Sequence, residues 1–123
     1  MEEREKRFDG EGWLVAPDEA GYISPGQVVY LAGKITGVPE EEYKKQFYEA
    51  QLFFQHEGMS VLNSTKLPPM PEERYIPICM TMLEQADAIA LLPGWETSVG
   101  ATAEYWYAIR QGKNVIRMLK NKE

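Results

Sequence analysis

Regular hydrophobic patterning begins at Gln27 and runs almost to the end of the chain. Val28 to Ala32 (VVYLA) is a short, fully apolar, β-rich run that stops at Gly33, as expected of a strand buried on both faces. Beyond the turn, Tyr43, Phe47, Ala50 and Phe54 recur at helical spacing, with Pro39 suited to a first turn and Glu40 to Glu42 complementing the helix dipole. Gly58 stops that helix. Met59 to Leu62 reads as a second strand. The segment NSTKLPPMPEERY that follows holds three prolines and is longer than an ordinary strand-to-helix connection, which makes it a candidate lid. A second helix is predicted from about Tyr75 to Gln85, with Pro77 near its start. Asp87 to Leu92 is the third strand, PGWET its following loop, and Ser98 to Gln111 a third helix that Gly112 closes. Asn114 to Met118 is the last strand, before a Lys-rich tail expected to fray. Residues 1–27 lack a sustained period and read as an N-terminal extension with a short strand at Trp13 to Val15, leaving residues 28–120 as the domain.

Strands alternating with helices predict an α/β fold, a three-layer parallel sheet with helices on both faces of the Rossmann or flavodoxin-like kind. With a strand order of about 2-1-3-4, the first and third strands are neighbours. Ligands of such sheets bind beyond the carboxyl ends of the strands, where the strand order reverses. The two glycine-bearing loops there, AGKITG and LPGWETSVG, would then flank one crevice.

Composition narrows the chemistry. The chain has 123 residues, enough for one domain with a real core and no need of disulfide or metal staples. Its 13 basic against 19 acidic side chains give a net charge of −6, which opposes a nucleic-acid polymer as partner but permits one small phosphate. Apolar runs such as Ala88 to Leu92 fall far short of the ~20 residues of a membrane span, and MEEREKRF does not resemble a signal peptide, so no membrane association and a cytoplasmic location are expected. Cys79 is the only cysteine and His56 the only histidine. Their scarcity argues against Cys/His metal sites and histidine triads, so no metal or cofactor is expected and catalysis falls to carboxylates, hydroxyls or backbone groups.

Several residues are placed to do such work. Gly33, Lys34, Ile35, Thr36 and Gly37 form a turn whose backbone N–H groups, with the Thr36 hydroxyl and the Lys34 charge, suit an anion; a tight strand-to-helix turn without a ligand explains them equally well. Ser98 and Gly100 open the third helix, where N–H groups and the dipole favour an anion, although a plain helix cap also accounts for Ser98. Glu104 lies one turn after Gly100 on the same face, about 6 Å along the axis, where the dipole favours a carboxylate. A surface glutamate is the competing account of it. Trp95 in the third loop offers a ring to stack on a base, and Asn63 completes the candidate substrate contacts. Asp87 begins its strand, at the edge away from the crevice, and reads as structural. Cys79 reads as a small buried apolar residue and His56 as a partner of terminal helix carbonyls.

The segments VYLAGKITG, GMSVLN and DAIALLPGWETSVGATAEYWYAIRQGKNVI together resemble the nucleoside 2-deoxyribosyltransferase-like superfamily over residues 28–118. The nearest likeness is to its small phage and prophage branch, usually described as a domain of unknown function, and to the 2'-deoxynucleoside 5'-phosphate N-hydrolases. The resemblance rests on YxxGxIxG from Tyr30 to Gly37 combined with SxGxxxE from Ser98 to Glu104. It implies that Glu104 is the catalytic glutamate at the anomeric carbon, with Tyr30 beside the scissile bond. It also implies that Ser98 and Gly100 contact phosphate while Gly33 to Gly37 wrap sugar and phosphate. A homo-oligomer, dimer or higher, is implied as well. The family's second acid, which serves the leaving base, falls at or next to position 79, where this chain has Cys79; a thiol is a poor proton donor for that step.

Two functions therefore compete at this stage. One is an N-glycosidic bond hydrolase or deoxyribosyltransferase acting on a nucleoside 5'-monophosphate. The other is a non-catalytic nucleotide-binding module that senses or sequesters a nucleotide or a nucleotide-derived signal.

Overall fold

The structure, a computed structural model, describes residues 13–15 and 17–120. The other residues of the expected extension, 1–12 and 16, and the tail residues 121–123 lie outside the described residues. Five strands form one sheet: β1 (Trp13–Val15), β2 (Val28–Ala32), β3 (Ser60–Leu62), β4 (Ala88–Leu91) and β5 (Asn114–Lys120), in spatial order β1-β5-β4-β2-β3. Strands β2 to β5 are parallel and carry the 2-1-3-4 order expected from the sequence. Strand β1 adds an antiparallel edge against β5, pairing Val15 with Met118. That pairing accounts for β5 running two residues beyond its expected end at Met118.

Side-chain parity divides the core in two. On β2, Val29 and Leu31 point to the face covered by α1 (Glu40–His56), where Phe47, Ala50, Phe53 and Phe54 meet Ala88, Ala90 and Ile116. Tyr30 and Ala32 point to the opposite face, covered by α2 (Glu72–Glu84) and α3 (Val99–Arg110) through Cys79, Leu83, Ala101 and Ala108. Register continues the same parity across the sheet, with Tyr30 opposite Ile89 and Leu31 opposite Ala90.

Helix α2 begins three residues before its expected start. The Pro71 carbonyl accepts from the N–H groups of Arg74 and Tyr75 at 3.0 Å each, and Glu72 and Glu73 fill the first turn. Proline suits this entry because the first N–H groups of a helix have no intrahelical partner. Pro77 consequently sits inside the helix, where it leaves one carbonyl without its usual i+4 donor. The earlier start brings Glu72 into the helical wall that Tyr75 and Ile76 also form. Asp87 is structural as expected: its Oδ2 accepts from the Val28 N–H at 2.9 Å. Among the described residues no helix is long and apolar enough to cross a membrane.

The short 3-10 turn at Pro17–Tyr22 clamps the β5 edge through Glu19. The Glu19 carboxyl, 8% exposed, accepts from the Arg117 backbone N–H at 2.6 Å and from the Arg117 guanidinium. Replacing Glu19 by Ala removes two part-buried, charge-assisted hydrogen bonds to Arg117, so Glu19→Ala should cost about 1–3 kcal/mol of unfolding free energy. Urea denaturation reads this directly; a loss below about 0.5 kcal/mol would mean that solvent replaces the carboxylate freely.

Candidate active site

The carboxyl ends of β2 and β4 are adjacent, and the loops leaving them, together with α2 and α3, enclose a cavity of about 580 Å³. Its position is that expected of a ligand site in an open parallel sheet. Gly33, the first residue after β2, is buried because the chain runs close over its neighbours: a Cβ there would lie 3.2 Å from both Leu92 and the Phe47 ring. Gly94 opens the other loop in the left-handed region, at φ 94°, which an L side chain rarely adopts. The two loops meet where Lys34 Nζ donates to Thr97 Oγ1 at 3.1 Å.

Most of the residues singled out in the sequence converge here. Gly33, Lys34, Ile35, Thr36, Ser98, Gly100 and Glu104 all line the cavity. Ser98 is both cap and wall: its Oγ accepts from the Ala101 N–H at 3.1 Å, leaving other amino-end N–H groups of α3 turned to the open end of the helix. Tyr30 stands behind the wall, 1% exposed, and its hydroxyl donates to Glu104 Oε2 at 2.6 Å. Gly37, Asn63 and Trp95 do not line the cavity. Asn63 is buried and local, its Oδ1 accepting from the Thr65 N–H at 3.0 Å while its Nδ2 donates to Gln51 Oε1 at 2.9 Å. Trp95 leans on Tyr105, with ring centroids 4.9 Å apart.

Burial dominates the electrostatics. It pushes the Glu104 carboxyl up to about 7, against the opposing hydrogen bond from Tyr30. The helix dipole at this position favours the ionised form, yet desolvation outweighs it. Tyr30 is raised far above the ordinary phenol range, first by burial and then by the adjacent Glu104 charge, so it is a permanent donor. The Cys79 thiol is raised by burial as well, which keeps it protonated. The arrangement provides one carboxyl poised between its two protonation states, oriented by a fixed phenol.

Sequence reasoning did not identify Ser64, Glu72, Tyr75 or Thr97, which also line the cavity. Tyr75 and Cys79 are four residues apart on α2, hence on one face, and that spacing within the predicted helix is the signal that would have found them together. No group of His, Cys, Asp and Glu among the described residues could hold a metal ion. A smaller cavity of about 380 Å³ lies on the other side of Lys34, against α1.

Residues 27–117 match the model of a family described as a domain of unknown function, DUF4406. No curated protein matches the chain. Among solved structures, the chain is similar to a 2-desoxiribosyltransferase from Leishmania mexicana, at 18% identity and a TM-score of 0.62, over 74% of this chain. It spans 63% of that protein's length, and the likeness is one of fold.

The raised carboxyl has a consequence for stability. A group with a folded pKa of about 7, against its ordinary 4.5, gains protons on folding; its burial costs little below about pH 4.5 and most above pH 7. Glu104→Gln removes the ionising group. Relative to the wild type, the variant should gain stability between about pH 5 and pH 8, by up to roughly 3 kcal/mol. Chemical denaturation at the two pH values tests this, and a pH-independent difference would mean that Glu104 is ionised throughout.

Proposed function

The chain belongs to the DUF4406 family, and we propose that this member is an N-glycosidase. It would act as a hydrolase or deoxyribosyltransferase on a nucleoside 5'-monophosphate, nearest in chemistry to the 2'-deoxynucleoside 5'-phosphate N-hydrolases of its superfamily. The observation that carries this reading is the Glu104 carboxyl, held from behind by Tyr30, on the wall of a cavity large enough for a mononucleotide, with the amino end of α3 opening into the same space. The name of the structural neighbour, a 2-desoxiribosyltransferase, agrees with it.

In this reading Glu104 faces C1' of the sugar. Cleavage of the N-glycosidic bond passes through an oxocarbenium-like state, and an ionised carboxylate nearby either stabilises that charge or captures the carbon. A cationic transition state also draws Glu104 toward its ionised form, while Tyr30 fixes the oxygen that does not face the sugar. The phosphate lies at the amino end of α3, contacted by Ser98 and Gly100, with Lys34 and Thr36 closing over it. The protein is expected in the cytoplasm as a homo-oligomer, dimer or higher. The exposed apolar side chains of Val99, Trp106 and Ile109 on α3 support such contacts.

A second reading rests on Cys79. A buried thiol, raised in pKa, replaces the acid expected to serve the leaving base, and this favours a module that binds an intact nucleotide without turning it over.

A panel of deoxy- and ribonucleoside monophosphates separates the two. The expected result is release of free base by chromatography, reduced at least 100-fold in Glu104→Ala, whose circular dichroism should show the fold retained despite the loss of the Tyr30 contact. Saturable binding of nucleotides with no base released from any of them would reject the enzyme and favour the module. Ser98→Ala combined with Thr36→Ala should weaken binding of monophosphates but not of nucleosides.

A further inference from the structure

Departure of a base from C1' leaves an electron pair on its nitrogen, and a donor facing the base lowers that barrier. Most polar groups around the cavity are otherwise engaged. Ser98 Oγ caps α3, Lys34 Nζ binds Thr97, and Tyr30 is spent on Glu104. Cys79 carries only a weak S–H donor. Tyr75 is held more loosely than these, by the Ser64 carbonyl and the Cys79 thiol. It lines the same cavity, is half-buried, and stands one helical turn before Cys79 on the same face of α2. Its hydroxyl donates to the Ser64 carbonyl at 3.3 Å, well beyond the usual length for an O–H···O bond, so a ligand acceptor can displace that contact.

We propose that Tyr75 is a second catalytic residue, its hydroxyl donating a hydrogen bond to the departing base from the wall that α2 forms. The inference rests on the N-glycosidase reading above. Tyr75 and Glu104 share one space, since both line the same cavity. Burial raises that hydroxyl to about 12, so it keeps its proton through the neutral range and acts only as a donor. In the hydrolytic step the C1'–N bond breaks and its electron pair goes to the base nitrogen. A water oxygen bonds to C1', and the proton that the water loses ends on the base. Tyr75 retains its own proton and supports the developing negative charge. This arrangement also explains how a cavity with a thiol at position 79 can serve a leaving group.

The test compares wild type, Tyr75→Phe and Glu104→Ala on the best-cleaved nucleotide of the panel and on a counterpart whose base leaves more readily, N7-methylated for a purine or 5-fluorinated for a pyrimidine. Tyr75→Phe should keep its thermal unfolding and bind substrate within threefold of wild type. Its kcat should fall 10- to 100-fold on the ordinary nucleotide and less than threefold on the activated one. Glu104→Ala should lose activity on both. An equal loss on the two substrates by Tyr75→Phe overturns the proposal in favour of a structural role. Wild-type kcat on the ordinary nucleotide also overturns it, while leaving the N-glycosidase reading intact. Absence of base release by the wild type rejects both.

Discussion

The hydrogen bond from the Tyr30 hydroxyl to the Glu104 carboxyl joins strand β2 to helix α3, which walls the cavity, and much of the architecture serves to make it possible. Neither group tolerates its position alone, because a buried polar group without a partner costs about 1–3 kcal/mol. The pair forms only if β2 presents Tyr30 to the α3 face, which a one-residue slip would reverse. Its register with β4, Tyr30 opposite Ile89, and the close seating of α3 through Ala101 and Ala108 set that geometry.

From this anchor the cavity follows. Helix α3 starts immediately after the loop from β4, so fixing Glu104 also fixes the amino end of the helix one turn earlier, at Gly100. Among the described residues Lys34 is the only cationic side chain on the cavity wall, while Glu72 and Glu104 are acidic. An anion entering here would depend chiefly on backbone N–H groups and the helix dipole, which agrees with the net charge of −6. The seclusion that raises the Glu104 carboxyl costs stability at high pH, and in the proposed reaction the same desolvated carboxylate would attract the positive charge developing at C1'.

The far edge of the sheet has a separate logic. Strand β1 and the Glu19 contact with Arg117 cover β5, which would otherwise be an open edge beside the parallel strands. These contacts lie across the sheet from β3 and leave the crevice between β2 and β4 open.

Periodicity is a local property, and it made the four parallel strands and the three helices legible in the sequence, while the 2-1-3-4 order was an expectation from the fold class and Tyr30 entered only through the family resemblance. Asn63 and Trp95 were also visible, but Asn63 caps the short turn two residues on, a local role the sequence also allowed, and only packing shows that Trp95 leans on Tyr105. The start of α2 at Glu72 was obscured by Pro77, a residue usually read as marking a helix beginning and tolerated here within it. Tyr75 stood at the boundary of the expected helix, and by itself a tyrosine there carries no sign of facing a cavity. The sequence by itself determined which residues form strands and which faces they bury, because hydrophobic spacing depends only on neighbours along the chain. Only the tertiary structure decided how deeply Glu104 is buried, hence its proton affinity, and which side chains of α2 face it, because desolvation and proximity arise from segments far apart in the chain.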